Sequence, residues 1–325
     1  MRRPHSNAVW SIILAGGEGE RTRPFIQQWL GESKPKQYCT FVGNQSMLQH
    51  TLNRADRVGI PHHKVTVIAE HHLPYVGTTF DEPHQGQVII QPKNCDTAAG
   101  IFLPLTYVRA RDPNATVVIY PSDHFVFPED RFAETVRRST RAIQILQDRI
   151  LLLGVRPTHL ELDYGWVNIS TILGRIGNSY LRQVDSFLEK PTPLQALQTM
   201  SNGGLWNTFV MVTKVETLWK LGWQYLPVLM ERFKRLGETI GTVHESQTLH
   251  QLYQHMPCMN FSSDLLQKVS ERLGVIELEE VLWSDWGKPE RIMETLEALG
   301  KKPAFPSELL TITNPSLTSS LEVVS

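Results

Sequence analysis

The sequence is poor in cysteine, and it has neither a long apolar run nor an excess of charge of either sign. Its three cysteines lie far apart without CxxC spacing, so neither a disulfide framework nor a zinc motif is expected. No stretch approaches the ~20 apolar residues of a membrane span. The 32 basic and 33 acidic residues leave a net charge of −1. Neither a nucleic acid nor an anionic membrane is therefore expected as a partner, and any anion site must be built locally.

The composition is typical of a globular enzyme in a reducing compartment. Hydrophobic residues make up 41% of the chain and charged residues 20%, and the length suffices for a core without metal or disulfide staples. The apolar segment after the basic residues 1–5 is short and ends in glycines. We therefore expect no signal peptide and predict a cytoplasmic location.

Apolar strand patterns alternate with helical patterns in the first half of the chain. Strands are predicted at residues 9–14, 64–69, 88–90, 115–120 and 150–154, and helices at 46–58, 97–111 and 129–148. This alternation predicts an α/β, Rossmann-like fold, with a mostly parallel mixed sheet covered by helices on both faces. Ligands bind at the carboxyl ends of the strands in such sheets.

The second half of the chain has a more mixed pattern. Strands are predicted at 166–169, 182–188, 206–212 and 274–278 and around Trp283, with short helices between them and a last helix at 289–299. We predict a catalytic domain over residues 1–288. Residues 289–325 are predicted to form a C-terminal helix and a loosely ordered tail rich in Pro, Ser and Thr.

A glycine-rich segment, Leu14-Ala15-Gly16-Gly17-Glu18-Gly19-Glu20-Arg21, follows the first predicted strand. Such a loop lets backbone N–H groups approach a polyphosphate without Cβ clashes. The planar guanidinium of Arg21 can neutralise phosphate charge. The spacing matches neither the P-loop nor the dinucleotide GxGxxG motif. An ordinary tight turn explains the glycines equally well.

Charged residues further along supply what a phosphate loop would need. Lys36, next to a proline, can serve as a point charge for phosphate, although a lysine in a loop is usually solvated. Asp123 ends a predicted strand, where a carboxylate can hold Mg²⁺. Asp285 is a second candidate acid, but its position before a glycine also suits a turn.

Glu189, Lys190 and Asn207 lie at the ends of predicted strands in the second half. Glu and Asn side chains can bind sugar hydroxyls, and Lys can bind a sugar phosphate. A surface charge pair and a strand-entry turn are the alternative interpretations.

Three groups of histidines could be taken for a catalytic base or for metal ligands, but their positions in the sequence do not favour these roles. His124 beside Asp123 is interpreted mainly as a packing or hydrogen-bonded neighbour rather than a base. The pairs His62-His63 and His71-His72 are interpreted as loop or surface histidines, not metal ligands. Adjacent residues do not share a helix face, and on a strand they point to opposite sides.

In their order along the chain, these motifs resemble those of the sugar-phosphate nucleotidyltransferases, most closely the mannose-1-phosphate guanylyltransferases. The motifs are Leu-Ala-Gly-Gly-x-Gly-x-Arg, Pro-Lys-Gln, Pro-Ser-Asp-His, Phe-x-Glu-Lys-Pro, Trp-Asn and Trp-Ser-Asp-x-Gly, between about Val9 and Leu299. The resemblance implies a GT-A-type fold and an enzyme that makes an NDP-sugar and pyrophosphate from an NTP and a sugar 1-phosphate. The pair GTP and mannose 1-phosphate is implied, with Mg²⁺ as the cofactor.

The resemblance also implies roles for single residues. The implied nucleotide-binding residues are Leu14, Ala15, Gly16, Gly17, Gly19, Arg21, Gln91, Asn94, Thr97 and Ser122. The implied sugar-phosphate-binding residues are Tyr164, Gly165, Glu189, Lys190 and Asn207. The implied catalytic residues are Arg21, Lys36, Asp123, Lys190 and Asp285, of which Asp123 and Asp285 would hold Mg²⁺.

Five positions depart from the family's pattern. Glu20 replaces a threonine, Thr22 a leucine, Asp96 an asparagine, and Thr208-Phe209 a Ser-Gly pair. Two other functions stay open: a non-catalytic paralogue that binds a nucleotide sugar and regulates a partner, and a glycosyltransferase. The missing Asp-x-Asp motif at Ser122-Asp123-His124 argues against the glycosyltransferase. The sequence fixes neither the base, nor the sugar, nor the oligomeric state, and a homodimer stays open.

Overall fold

The computed structural model describes residues 8–77, 79–80, 86–306 and 308–309. The strands are β1 (Val9–Ala15), β2 (Lys64–Ala69), β3 (Gln87–Gln91), β4 (Thr116–Pro121), β5 (Phe125–Phe127), β6 (Ile150–Val155), β7 (Gly165–Ile176), β8 (Ser179–Glu189), β9 (Leu205–Lys214), β10 (Leu273–Glu277) and β11 (Leu282–Ser284). The α-helices are α1 (Arg23–Leu30), α2 (Met47–Asp56), α3 (Leu73–Val76), α4 (Asp96–Arg111), α5 (Glu129–Ala142), α6 (Pro193–Ser201), α7 (Val215–Tyr225), α8 (Pro227–Gly237), α9 (Glu245–Gln254), α10 (Phe261–Asp264) and α11 (Pro289–Ala298).

A nine-stranded sheet in the order β3-β2-β1-β4-β9-β6-β10-β8-β7 forms the centre of the fold. All its strands except β8 and β9 run in one direction. This arrangement confirms the predicted mostly parallel mixed sheet. Strand β1 pairs with β2 on one side and with β4 on the other. The strand order therefore reverses at β1, and such a switch point is where open α/β sheets bind ligands.

Helices cover both faces of the sheet because its central strands are apolar on both sides. Ile12 belongs to a core shared with α4, α7 and α8, whereas its neighbour Ile13 belongs to a core shared with α2 and α5. Both isoleucines are fully buried. Within the described ranges, none of the helices is both long and apolar enough to span a membrane.

The helix predicted over residues 129–148 ends earlier, at Ala142. Ile143 is still fully buried, but Ile145 is 85% exposed, so the chain leaves the core within two residues. A helix continued to residue 148 would extend about 9 Å further at ~1.5 Å per residue. The chain instead turns back to start β6 at Ile150.

Residues 304 and 305 of the C-terminal segment pack against the rest of the fold. Phe305 is 3% exposed and packs edge-on against Phe25, with ring centroids 5.0 Å apart, and Ala304 N–H donates to the Phe41 carbonyl. The expected loose order is therefore wrong at these positions. The basic residues 1–5 and most of the predicted tail, at 307 and 310–325, lie outside the described residues. The domain boundary at residue 288 stays a prediction.

Candidate functional site

A cavity of about 970 Å³ lies where the chain leaves β1, β3 and β4. Its lining brings together most of the sequence-predicted site residues: Leu14, Gly16, Gly17, Gly19, Arg21, Lys36, Gln91, Asn94, Thr97, Asp123, Tyr164, Gly165, Glu189, Lys190, Asn207 and Asp285. Ala15 and Ser122 are buried and lie outside this lining. The carbonyl of Ala15 instead accepts a hydrogen bond from Gln37 Nε2 at 2.9 Å.

The Pro-Lys-Gln segment, residues 35–37, packs against the glycine-rich loop and holds it in place. Gln37 is 2% exposed, and its Nε2 donates to the carbonyls of Ala15 and Gly17, the latter at 2.8 Å. Gly19 has φ of 60°, and a Cβ there would lie 3.1 Å from Lys36 Cβ and 3.3 Å from Lys36 N. Glycine is needed here because both the positive φ and the close approach disfavour a side chain. The sequence pattern showed the motif but not the positioning role of Gln37.

Lys36 is a buried lysine rather than a solvated loop residue. It is 3% exposed, and its Nζ lies 2.8 Å from Asp123 Oδ2. The same ammonium group donates to the backbone carbonyl of Asp285. Lys36 therefore links the two predicted acidic residues, and the alternative of a solvated loop is wrong.

Asp285 accepts hydrogen bonds on both carboxylate oxygens. Oδ1 accepts from the Tyr164 hydroxyl at 2.8 Å, from Arg291 at 2.7 Å and from Gly287 N–H at 2.9 Å. Oδ2 accepts from Arg21 at 2.9 Å. Burial opposes ionisation of this carboxyl group, but the charges of Lys36 and Arg291 hold its pKa well below the usual range. Asp285 is therefore ionised.

Arg291, from α11, is a site residue that the sequence analysis missed. Its guanidinium is 4.8 Å from the centroid of the Tyr164 ring and forms ion pairs with Asp285 and Glu161. An arginine in an amphipathic helix is normally expected on the solvent side, so its pattern gives no signal of this contact. Asp163 was also missed. It pairs with Arg21 at 3.1 Å.

Asp123 is the more accessible of the two predicted metal ligands. Its side chain is 32% exposed, with Lys36 on Oδ2 and His124 Nε2 at 3.7 Å from Oδ1. Burial opposes ionisation, but Lys36 and His124 lower the pKa of Asp123 overall. His124 accepts a hydrogen bond on Nδ1 from the Trp283 indole at 3.3 Å. This contact agrees with the interpretation of His124 as a hydrogen-bonded neighbour.

A second part of the cavity lining contains fewer ion pairs. Glu189 is half-buried, and this burial raises the pKa of its carboxyl group. The positive charge of Lys190 partly offsets that increase. The Lys190 side chain is exposed. Asn207 is 7% exposed, and its Oδ1 accepts from the backbone N–H of Phe209 at 3.2 Å. These side chains can offer hydrogen bonds to a polar ligand.

Three non-glycine residues in the cavity lining have positive φ. The angles are 63° at Asp96, 47° at Lys190 and 60° at Phe209. Such conformations are uncommon, and for a bulky residue they are true outliers that cluster at functional sites. Phe209 therefore keeps a backbone conformation that suits glycine while its ring packs edge-on against Phe261, with centroids 6.3 Å apart.

Three of the implied nucleotide-binding residues, Gln91, Asn94 and Thr97, form hydrogen bonds that fix the segment after β3. Thr97 Oγ1 accepts from Phe261 N–H at 2.8 Å, and Gln91 Nε2 donates to the Lys93 carbonyl at 2.7 Å. Asn94 Oδ1 accepts from the Asp96 N–H at 3.0 Å. Their roles in nucleotide binding stay predictions.

The His71-His72 pair is not a pair of free surface histidines. His72 is fully buried, and its Nδ1 lies 3.4 Å from the Ala15 carbonyl. His71 is exposed, with its Nε2 2.9 Å from Glu18 Oε1 in the glycine-rich loop. The two rings are 4.4 Å apart and tilted by 67°. The interpretation of both as loop or surface histidines is therefore wrong for His72.

The model of the Nucleotidyl transferase family matches residues 10–302, and the chain belongs to this family of sugar-phosphate nucleotidyltransferases. The chain is 24% identical over 306 residues to a mannose-1-phosphate guanylyltransferase of Escherichia coli. It is 23% identical over 308 residues to the xanthan biosynthesis protein XanB of Xanthomonas campestris. These matches cover 91% and 94% of this chain but only 62% and 63% of the relatives.

Solved structures show the same fold. A protein of Thermus thermophilus described as a mannose-1-phosphate geranyltransferase superposes with a TM-score of 0.74 at 23% identity, over 88% of this chain and 79% of that chain. A putative glucose-1-phosphate thymidylyltransferase of Bacillus anthracis gives a TM-score of 0.57 at 15% identity, over 93% and 99%.

Proposed function

We propose that this chain forms an NDP-sugar and pyrophosphate from an NTP and a sugar 1-phosphate. The observation that carries the proposal is the cavity itself. It combines the backbone of a glycine-rich loop, the cations Arg21, Lys36 and Lys190, and the carboxylates of Asp123 and Asp285. Polyphosphate chemistry needs such donors and cations close together.

The proposed reaction is an in-line displacement at phosphorus. A phosphate oxygen of the sugar 1-phosphate forms a bond to the α-phosphorus of the nucleotide. The bond from that phosphorus to the bridging oxygen breaks, and pyrophosphate leaves with the electron pair. Because a phosphate monoester is already anionic, no residue has to remove a proton. Catalysis then consists of positioning and charge neutralisation.

The residues divide this work between them. Backbone N–H groups of the glycine-rich loop and Arg21 bind the leaving phosphates, and Lys190 holds the attacking phosphate. The Arg21 side chain is 48% exposed, so it can turn from Asp285 to a phosphate. Glu20 is exposed in the cavity lining, and no ion pair holds it among the described residues. Its side chain must turn to solvent when a triphosphate binds.

We propose Mg²⁺ as the cofactor, held by Asp123 and Asp285. The Oδ1 atom of Asp123 lies 3.7 Å from His124 Nε2 and is not the oxygen paired with Lys36, and Oδ2 of Asp285 becomes free once Arg21 moves to phosphate. Carboxylate oxygens are the ligands that Mg²⁺ prefers, so the donor set fits. The bound cation would supply Lewis acidity and a template for the phosphates.

GTP and mannose 1-phosphate are the proposed substrate pair. The Pro-Lys-Gln and Trp-Ser-Asp motifs support this choice, as do relatives named mannose-1-phosphate guanylyltransferase at 24% and 26% identity. The test is pyrophosphate release from four NTPs, each with mannose, glucose or N-acetylglucosamine 1-phosphate, at saturating Mg²⁺. We expect the highest kcat/KM for GTP with mannose 1-phosphate. Release confined to another pair would refute the specificity, and no release with any pair would refute the reaction.

A second candidate is a non-catalytic protein that binds a nucleotide sugar and regulates a partner. The pairing of Arg21 with Asp163 and Asp285 favours it, because this arginine already has two carboxylate partners. Calorimetric binding of GDP-mannose without pyrophosphate release would support it. The glycosyltransferase alternative predicts instead the consumption of GDP-mannose in the presence of an acceptor.

A further inference from the structure

Glu18, His71 and His72 form a cluster to which the proposed reaction assigns no role, and Glu18 also lines the cavity. The two histidines lie in a short 3-10 helix, Glu70–His72, directly after β2, and Glu18 lies in the loop after β1. One ligand atom from each of the three residues lies within 4.8 Å of the others. Parallel pairing of β1 with β2 brings the ends of these strands together.

Among the described residues, Nε2 of the buried His72 has no hydrogen-bond partner. The His72 side chain is fully buried. An unpaired polar group in the interior is costly, so it calls for an explanation such as an ion. Glu18 Oε2 lies 3.9 Å from this nitrogen, beyond hydrogen-bond distance.

The environment of His72 sets which nitrogen can bind a cation. A carbonyl oxygen only accepts hydrogen bonds, so the contact with Ala15 places the proton of neutral His72 on Nδ1. Nε2 then carries a free lone pair. Histidines that bind metals almost always donate their other N–H in this way, which fixes the ring orientation.

Glu18 and His71 can complete the ligand set. The guanidinium of Arg23 lies 3.3 Å from Oε2 of Glu18. The other carboxylate oxygen, Oε1, lies 2.9 Å from His71 Nε2 and is available to a metal ion. In a tetrahedral zinc site, with bonds of about 2.0–2.2 Å, ligand atoms lie about 3.4 Å apart. The Oε1 atom of Glu18 lies 2.9 Å from His71 Nε2, and one ligand atom from each of the three residues lies within 4.8 Å of the others. Small rotations of the exposed His71 and of Glu18 therefore suffice.

We propose that Glu18, His71 and His72 bind a divalent transition-metal cation of the zinc class. Two imidazoles and one carboxylate suit zinc rather than Mg²⁺, which prefers oxygen ligands. The cation clamps the glycine-rich loop to the turn after β2 and keeps the Glu18 carboxylate away from a bound triphosphate. This proposal is independent of the proposed reaction.

The test is Zn²⁺ binding to the full chain after removal of metals with a chelator. Equilibrium dialysis with elemental analysis gives the stoichiometry, and Co²⁺ absorption reports tetrahedral coordination. We expect one Zn²⁺ per chain at this site. His71→Ala and Glu18→Gln should each weaken binding by about tenfold or more, since even outer partners of a metal site are worth ~10–100-fold. Both side chains are on the surface or in a loop, so these variants should fold.

Two controls separate this site from others. His62→Ala removes an exposed histidine from a comparable 3-10 helix, Pro61–His63, and should leave Zn²⁺ binding unchanged. Asp123→Ala should lower turnover sharply but leave this binding unchanged, so the two proposals fail separately. Binding that survives His71→Ala, or that is lost in Asp123→Ala, would overturn the proposal, as would no binding by the wild type.

Discussion

Two parts of the cavity lining are built in different ways. We call Lys36, Asp123, Tyr164, Asp285 and Arg291 the ion-pair cluster. Lys36, Asp285 and Arg291 are each less than 9% exposed, and every charge in the cluster has a partner. The stability of such a cluster depends on all its members, because removing one leaves a buried charge unpaired.

We call Glu189, Lys190, Asn207 and Phe209 the open end. Lys190 is exposed, and both Lys190 and Phe209 have positive φ. Here the backbone and the shape of the cavity define the surface, and few ion pairs hold it. We therefore expect substitutions in the ion-pair cluster to lower both the stability of the fold and the rate of catalysis. Substitutions at the open end should change affinity or specificity while the fold survives.

The largest effect is expected from Asp123→Ala. If Asp123 holds Mg²⁺ as proposed, its loss removes a cation that stabilises the transition state by several kcal/mol, so kcat should fall by roughly 10³-fold. The measurement is pyrophosphate release at saturating Mg²⁺, with circular dichroism to check the fold. Asp185→Asn, at an exposed position on β8, is the matched control and should keep full activity. Near-normal turnover of Asp123→Ala would remove this residue from the metal site.

Arg291→Met should cause the next largest change, in stability. It removes the buried cation that pairs with Asp285 and Glu161, and breaking a buried pair costs about 3–5 kcal/mol. The measurement is the free energy of unfolding in urea. Arg272→Met breaks the exposed pair with Asp148 and should cost only about 0–1 kcal/mol. Equal losses in the two variants would show that the cluster is not a buried unit.

Much of the fold followed from the sequence, because its signals are local. The apolar runs of β1, β2 and β4 are buried along almost their whole length, and continuous burial is what such runs predict. The order of the motifs also indicated which residues line the cavity. The points where the chain reverses direction were harder to predict from the sequence. The early end of α5 depends on where β6 must begin, which no local pattern states.

The contacts of the ion-pair cluster could not be predicted from the sequence, because they join residues that are far apart in the chain. Arg291 is 130 residues from Glu161 in the chain, and only the docking of α11 brings the two together. The burial of His72 likewise depends on the pairing of β1 with β2, because the turn after β2 then lies against the glycine-rich loop. The sequence showed two adjacent histidines and could not show their different surroundings.

Lys190→Met tests the open end. Its side chain is exposed, so the free energy of unfolding should change by less than about 0.5 kcal/mol. The KM for the sugar 1-phosphate should rise about tenfold, since a charged hydrogen bond is worth ~1.5–3 kcal/mol. Steady-state kinetics with the sugar 1-phosphate as the varied substrate measures this. Lys268→Met, at another exposed lysine, should leave KM unchanged. A stability loss as large as that of Arg291→Met would remove the contrast between the two parts of the lining.

Phe209 gives the smallest and most specific prediction. Phe209→Gly and Phe209→Ala both remove the ring from the cavity lining, but only glycine suits φ of 60° without strain. The glycine variant should therefore be more stable than the alanine variant by about 1–2 kcal/mol in urea unfolding. Both should raise kcat/KM for N-acetylglucosamine 1-phosphate relative to mannose 1-phosphate by about tenfold, because removal of the ring makes room for a larger sugar. If the two variants were equally stable, the backbone at Phe209 would not be strained. An unchanged preference in both would mean that the ring does not limit the size of the sugar.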